Sequence, residues 1–165
     1  MSKNLGIDHE ILEDKYPRVF ERPFDSDRKR MTTVHVIDEE ITAYTKGAVD
    51  EILPVCSHIL TSGGIREMDA KDRLRINKLC ESMSENALRV LGFSMRIIPA
   101  IPDDDDTDLE DSMIFIGAVG MIDPPRSEVA ESVRTCRRAG IRTVMITGDH
   151  KITALAIAKE LGIYQ

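Results

Sequence analysis

The sequence predicts an α+β fold: an antiparallel sheet flanked by helices, followed by a partial α/β segment. Three observations carry this. First, two runs rich in Val, Ile, Thr and Tyr, "MTTVHVI" (Met31 to Ile37) and "ITAYT" (Ile41 to Thr45), flank the short acidic break "DEE", the pattern of a hairpin. Second, Ile76, Leu79, Cys80, Met83 and Ala87 recur at helical spacing between Asp69 and Leu88. Third, after "DPPR" (Asp123 to Arg126) the order becomes helix, short all-apolar strand, turn, helix, the material of a parallel sheet.

The remaining elements follow in order. Tyr16 to Phe24 alternates loosely and carries two prolines, so it reads as an edge strand. Gly47 is expected to open a helix through about His58, with Val49, Ile52, Leu53 and Cys56 on one face. "TSGG" (Thr61 to Gly64) breaks the pattern and reads as a plain loop. Arg89 to Ile98 and Met113 to Ile122 are strands on either side of an acidic loop. A helix carrying Val129, Val133 and Cys136 ends at Gly140, and a strand is expected over Thr143 to Ile146. The turn Thr147-Gly148-Asp149 and a helix closed by Gly162 complete the chain. The change of character near residues 115 to 122 divides the sequence into 1–118 and 119–165. The strand "TVMI" is apolar on both faces and has at most one neighbour in sequence, the run ending at Ile122. Such an edge is normally paired or covered. Residues 123 to 165 are therefore expected to be poorly ordered, or to find cover by dimerising with a second copy.

Composition narrows the function. With 42% apolar residues but only 4% aromatics among 165, the chain can bury a core, and that core is aliphatic. A net charge of −7 argues against nucleic acid as a partner, since phosphate-backbone binding needs a basic face. That charge is concentrated in "DDDDTDLED" (Asp103 to Asp111), whose seven carboxylates leave the rest of the chain neutral in sum. Their repulsion predicts a solvated, mobile loop without counter-charge. Cys56, Cys80 and Cys136 are scattered through apolar, helix-like patterns and read as free thiols. His9, His35, His58 and His150 show no ligand spacing, so no metal site is expected. No apolar run reaches the length of a membrane span.

Several stretches could carry chemistry. "FDSDRKRM" (Phe24 to Met31) reads as a solvated approach to a hairpin or as a base-stacking platform. In the second reading Phe24 offers a π-face, and Arg28, Lys29 or Arg30 offer cations to phosphates. In "TKGA" (Thr45 to Ala48), Lys46 stands between a strand and the expected helix start, a good anion position, although many such junctions are only turns. Arg89 heads the strand "RVLGF". Gly63-Gly64 lacks the spacing of either common phosphate loop. "TGD" after an apolar strand is more specific, because open α/β sheets hold ligands at the carboxyl ends of their strands. There Thr147 supplies a hydroxyl, Gly148 permits close backbone approach, and Asp149 can hydrogen-bond, sit near a metal, or cap the following helix.

In order, "FDSDRKRM", "TKGA", "RVLGF", "GMIDPPR" and "MITGDHKITALAIAKELGI" resemble the cytoplasmic signatures of P-type cation-transporting ATPases, the calcium and sodium–potassium pump branch. The resemblance covers nearly the whole chain. It implies a nucleotide-binding domain over residues 1–118, truncated at its N-terminus, and part of a haloacid-dehalogenase-like phosphorylation domain over 119–165. In that family the first domain delivers ATP, and an Asp of the second takes its γ-phosphate.

By the same resemblance Phe24 would stack on adenine, Lys29 and Met31 would line the pocket, Lys46 and Gly47 would lie beside the nucleotide, and Arg89 would reach the phosphates. Asp123 and Arg126 resemble the junction between domains, and Thr147, Gly148 and Asp149 the phosphate-side loop. Some residues depart from the pattern. Ser26 stands where an arginine contacts phosphate, so Arg28 or Arg30 would have to substitute, or the contact is missing. Val49-Asp50 replace Pro-Glu after "KGA". Neither "DKTGT" nor "TGDGVND" occurs, so no catalytic residue and no metal ligand is expected here.

The chain thus reads as an excised, soluble, catalytically inactive fragment of a pump that works at the cytoplasmic face of the cell membrane. Its partners would be ATP and the pump's remaining phosphorylation, actuator and membrane domains, with magnesium needed in the intact parent only. The expected cation is calcium. The alternatives are a sodium/potassium-type pump fragment and a soluble haloacid-dehalogenase-like phosphatase. The latter would need Asp103 and Asp105 of "DDDDT" as its D-x-D nucleophile pair.

Overall fold

A computed structural model of the chain describes residues 8–86, 88–103, 108–122, 125–148 and 151–164. It divides into two compact units, Met1–Ala70 with Leu91–Ala118, and Lys71–Val90 with Val119–Gln165.

In the first unit a short helix, α1 (His9–Lys15), is capped by the Asp8 carboxylate, which accepts from Glu10 N, and leads into β1 (Arg18–Asp25). β1 pairs antiparallel with β2 (Arg30–Ile37), and β2 with β3 (Glu40–Gly47). The expected hairpin is present. Its tight turn places Asp38 and Glu39 at φ 48° and 71°, the two left-handed residues that match the twist of a two-residue hairpin. β1 is an edge strand, as Pro23 within it implies. Its register slips between Arg22 and Asp25, so Pro23 and Phe24 together oppose the single residue Met31.

The helix expected from Gly47 to His58 is much shorter. Gly47 is the last residue of β3, and only α2 (Val49–Ile52) and a 3-10 turn (Leu53–Val55) follow before β4 (Cys56–Thr61). Pro54 has no N–H to continue an α-helix. Cys56 is then drawn into a parallel ladder with Met113 of β7 (Met113–Ile122), a tertiary pairing that overrides the local helical spacing. "TSGG" lies in the tight connection to β5 (Gly64–Glu67), a short strand with no sequence signal of its own. β6 (Leu88–Ile97) pairs with β3, and the sheet order is β1-β2-β3-β6-β7-β4-β5. The sheet is therefore mixed: the expected antiparallel half is present, and β4 with β7 adds a parallel pair.

One face of β2 and β3 is closed. Val34 and Ala43 form a core with Ile98 and Leu109, against which Phe20 and Ile41 pack. Leu109 and Glu110, expected in a mobile loop, are both buried. The mobile-loop expectation fails at that end, because the segment has a counter-charge after all. Residues 104–107, including Asp105, lie outside the described residues, and Asp103 is exposed.

The second unit holds α3 (Ala70–Glu85), α4 (Val129–Arg138) and α5 (Lys151–Glu160). All three stand where periodicity placed them. Gly140 (φ 75°) and Gly162 (φ 71°) end the latter two in left-handed conformations, the usual glycine stop. The apolar stripe of α3 is not enclosed: no residue of the helix is buried and Leu79 is 51% exposed. Over Thr143–Ile146 there is no strand. Val144 and Ile146 are 67% and 94% exposed, and these residues have no ladder partner among the described residues. A strand exists only through its pairing, however apolar its sequence. Beyond the end of β7, the haloacid-dehalogenase-like segment shows no strand among the described residues. Cys56 is buried and Cys80 and Cys136 half-buried, all as free thiols. Among the described residues no helix is long and apolar enough to cross a membrane.

Candidate nucleotide-binding site

The pleat sorts the middle of the sheet into two faces. Thr32, Thr45 and Ser94 are in register across β2, β3 and β6 on the closed face, and all are buried. On the other face the residues one step along are Met31, Lys46 and Phe93, likewise in register across the same three strands. Met31 and Phe93 are half-buried and Lys46 is exposed. The next row is Thr33, Tyr44 and Met95. Phe24, thrown out of register by the bulge opposite Met31, is 62% exposed. An apolar floor, an exposed aromatic and an exposed amine thus share the open side of three or four adjacent strands. Stacking and anion contact require such parts.

Lys29 sits in the turn joining β1 and β2, at φ 48°. Several hydrogen bonds hold that strained backbone. The Asp25 carboxylate accepts from Asp27 N and Arg28 N at 3.0 and 2.9 Å, Lys29 N donates to Asp25 O at 2.7 Å, and Ala48 N donates to Lys29 O at 3.1 Å. The Lys29 amine is not a spare cation: its Nζ lies 3.3 Å from Glu51 Oε1. Gly47 has a different reason from the one the sequence suggested. It opens no helix. A Cβ there would lie 2.5 Å from Lys29 O and 2.6 Å from Arg30 Cβ, so only glycine lets the β1–β2 turn close against β3.

Arg28 and Arg30 cannot stand in for a missing phosphate-contacting arginine. Both are engaged by Glu110, which is 4% exposed. Arg28 Nη1 donates to Glu110 Oε1 at 2.5 Å, Arg30 Nε to Oε2 at 2.7 Å and Thr32 Oγ1 to Oε1 at 2.8 Å, with Arg22 Nη1 at 4.0 Å. Burial pushes the Glu110 carboxyl up, but the hydrogen bonds from Arg28, Arg30 and Thr32 outweigh it and hold the group below its ordinary value. Sequence reading counted this carboxylate among seven solvated ones. Its partners lie about 80 residues away in sequence, so local pattern had no means of finding it. Phe93 was also missed as an individual residue, because its place in the row depends on strand register.

Arg89 is exposed near the start of β6, in the stretch grouped with the second unit. Arg126, Thr147 and Gly148 are exposed in that unit. Asp123 and Asp149 lie outside the described residues. Among the described residues no three His, Cys, Asp or Glu side chains gather into a metal site.

Known proteins supply the context for this geometry. Residues 1–128 match the family described as P-type ATPase, cytoplasmic domain N. Over 159 residues the chain is 54% identical to calcium-transporting ATPase 1 of Bacillus cereus, covering 96% of this chain and 18% of that protein. It is 37% identical over 166 residues to calcium-transporting ATPase 1 of Lactococcus lactis, covering 98% and 18%. A third relative, sodium/potassium-transporting ATPase subunit alpha-3 of Oreochromis mossambicus, is 36% identical over 165 residues, covering 93% and 16%. The chain spans about 18% of the length of the two bacterial relatives. With five signatures in order and a family match over residues 1–128, this chain belongs to the P-type ATPases.

Proposed function

We propose that the chain binds ATP on the open face of β1, β2, β3 and β6, and that it does so as the nucleotide-binding part of an ATP-driven calcium pump. One observation carries the reading: Met31, Lys46 and Phe93 form a row across three strands, with exposed Phe24 beside its β2 end. Phe24 would stack on adenine, Met31 and Phe93 would floor the base, and Lys46 would meet the phosphates. Lys29 can leave Glu51 for a phosphate at small cost, since an exposed ion pair contributes only about 0–1 kcal/mol. Arg89, carried over from the family signature, would add a phosphate contact.

In this reading residues 1–118 form the nucleotide-binding domain and 119–165 belong to the phosphorylation domain. The γ-phosphate passes to an Asp outside these 165 residues, and magnesium acts in the intact pump. Calcium as the cargo is supported by the names of the bacterial relatives. No observation favours the phosphatase alternative.

The affinity should be modest. Stacking of one base contributes about 1–3 kcal/mol and each exposed cation–phosphate contact about 0.2–1 kcal/mol. Together these put the dissociation constant near millimolar. The test is an NMR titration of the labelled chain with ATP. Shifts confined to Phe24, Met31, Lys46 and Phe93 support the site. No shift at these residues at several millimolar ATP rejects it.

A further inference from the structure

We propose that Glu110 is a positioning residue for the nucleotide site: from the closed face of the sheet it holds the two arginines that flank Lys29, and so fixes the β1–β2 turn that carries Phe24, Lys29 and Met31. The proposal rests on the ATP-binding reading above and adds a residue that touches no nucleotide.

The geometry is specific. Arg28 and Arg30 stand on either side of Lys29, and each gives a guanidinium nitrogen to a different oxygen of the same carboxylate, at 2.5 and 2.7 Å. Each arginine also holds a second point on the frame. Arg28 Nη2 donates to Pro23 O at 2.9 Å, beside Phe24, and Arg30 Nη1 donates to Glu51 O at 3.2 Å, in α2. One carboxylate therefore ties the bulge that presents Phe24, the strained residue Lys29 and the start of β2 to the body of the sheet. Glu110 is itself held, because Thr32 Oγ1 donates to it at 2.8 Å and lies 2.8 Å from Thr45 Oγ1 in β3. Thr32 and Met31 are adjacent in β2 and face opposite sides, so the tie acts beneath the row of Met31, Lys46 and Phe93.

Without the carboxylate, Arg22, Arg28 and Arg30 would be left together with only the exposed Asp25 carboxylate nearby, 4.0 Å from Arg28 Nε. Like charges brought together repel, and a partly buried guanidinium that loses its charged acceptor is less stable where it stands. The turn would then give way before the sheet does, since Lys29 holds a left-handed backbone that a non-glycine residue adopts only when its surroundings impose it.

The test compares wild type, Glu110→Gln and Arg28→Gln. Two readouts are taken: ATP affinity by NMR titration, and amide hydrogen exchange in the turn (Asp25 to Arg30) against the β2–β3 hairpin (His35 to Tyr44). Glu110→Gln should lose about fivefold in ATP affinity, equivalent to ~1 kcal/mol, with exchange accelerated more in the turn than in the hairpin. Arg28→Gln should show a smaller loss of the same pattern, and serves alone if Glu110→Gln does not fold. Unchanged affinity in the variants, with wild type binding, overturns the positioning role and leaves the site intact. Acceleration spread evenly over turn and hairpin also overturns it, by making Glu110 a general stabiliser. Wild type that does not respond to ATP removes the ATP-binding reading itself, and the positioning role with it.

Discussion

Glu110 Oε2 accepts from Arg30 Nε at 2.7 Å, so the end of the most acidic stretch of the chain is pinned to the start of β2. The pairing sets the sign of the pH response. The carboxyl is held below its ordinary value in the folded chain, so the unfolded state takes up a proton first as pH falls. The stabilisation is complete above the unfolded carboxylate value and is lost as pH falls through the folded one. Thermal melts of wild type from neutral pH down through the carboxylate range should fall more steeply than those of Glu110→Gln. Parallel curves would count against the pairing.

Truncation to Glu110→Ala should destabilise the chain by about 3 kcal/mol, the lower part of the range for removing one partner of a buried ion pair, since the arginines retain some exposure. At this chain length that corresponds to a drop of roughly 6–12 °C in melting temperature. Calorimetry or circular dichroism measures it directly.

Phe24→Ala should weaken ATP binding by the stacking contribution of about 1–3 kcal/mol, while leaving the melting temperature nearly unchanged, because the ring is largely exposed. Arg89→Lys keeps the charge and should cost less than about 1 kcal/mol in affinity. A titration that ranks the two variants the other way would shift the binding energy from base to phosphate.

Gly47→Ala places a methyl group against the backbone of Lys29 and Arg30. Neither neighbour is the free end of a flexible side chain, so β3 or the turn must move. Overpacking of this kind costs about 1–3 kcal/mol, and ATP affinity should fall together with stability. Wild-type stability for Gly47→Ala would show that the turn can shift without strain.

Ser94 offers the opposite case. Its Oγ is buried with no hydrogen-bond partner among the described residues. A buried, unsatisfied hydroxyl costs about 1–3 kcal/mol, so Ser94→Ala should be neutral or raise the melting temperature by a few degrees. A clear loss of stability would mean that the hydroxyl does have a partner.

How much of this was legible depended on the range of the interaction. Strands β2, β3, β6 and β7 and helices α3, α4 and α5 announced themselves through period and glycine stops, because those signals are local. Cys56 did not, since its strand exists through a ladder with Met113, 57 positions later in the numbering. Thr143 to Ile146 misled in the other direction: their composition is that of a strand, yet no described residue pairs with them to make one. At the site, Phe24, Lys29, Met31 and Lys46 were singled out from motif order alone. The row that includes Phe93 required the register. The role of Glu110 was hidden, because charge counting treats every carboxylate in a run alike and burial does not.

The tie between Glu110 and the β1–β2 turn closes a chain loop of about 80 residues. Such a contact cannot form until β3, β6 and β7 have been laid down, since its ordering entropy is repaid only when the sheet between its ends exists. It is therefore expected to form in the last stage of assembly, with a φ-value near zero at Glu110. Weakening it should leave the refolding rate nearly unchanged and speed unfolding instead. Glu110 should thus lengthen the life of the native turn once made, and hardly change how quickly the sheet is reached.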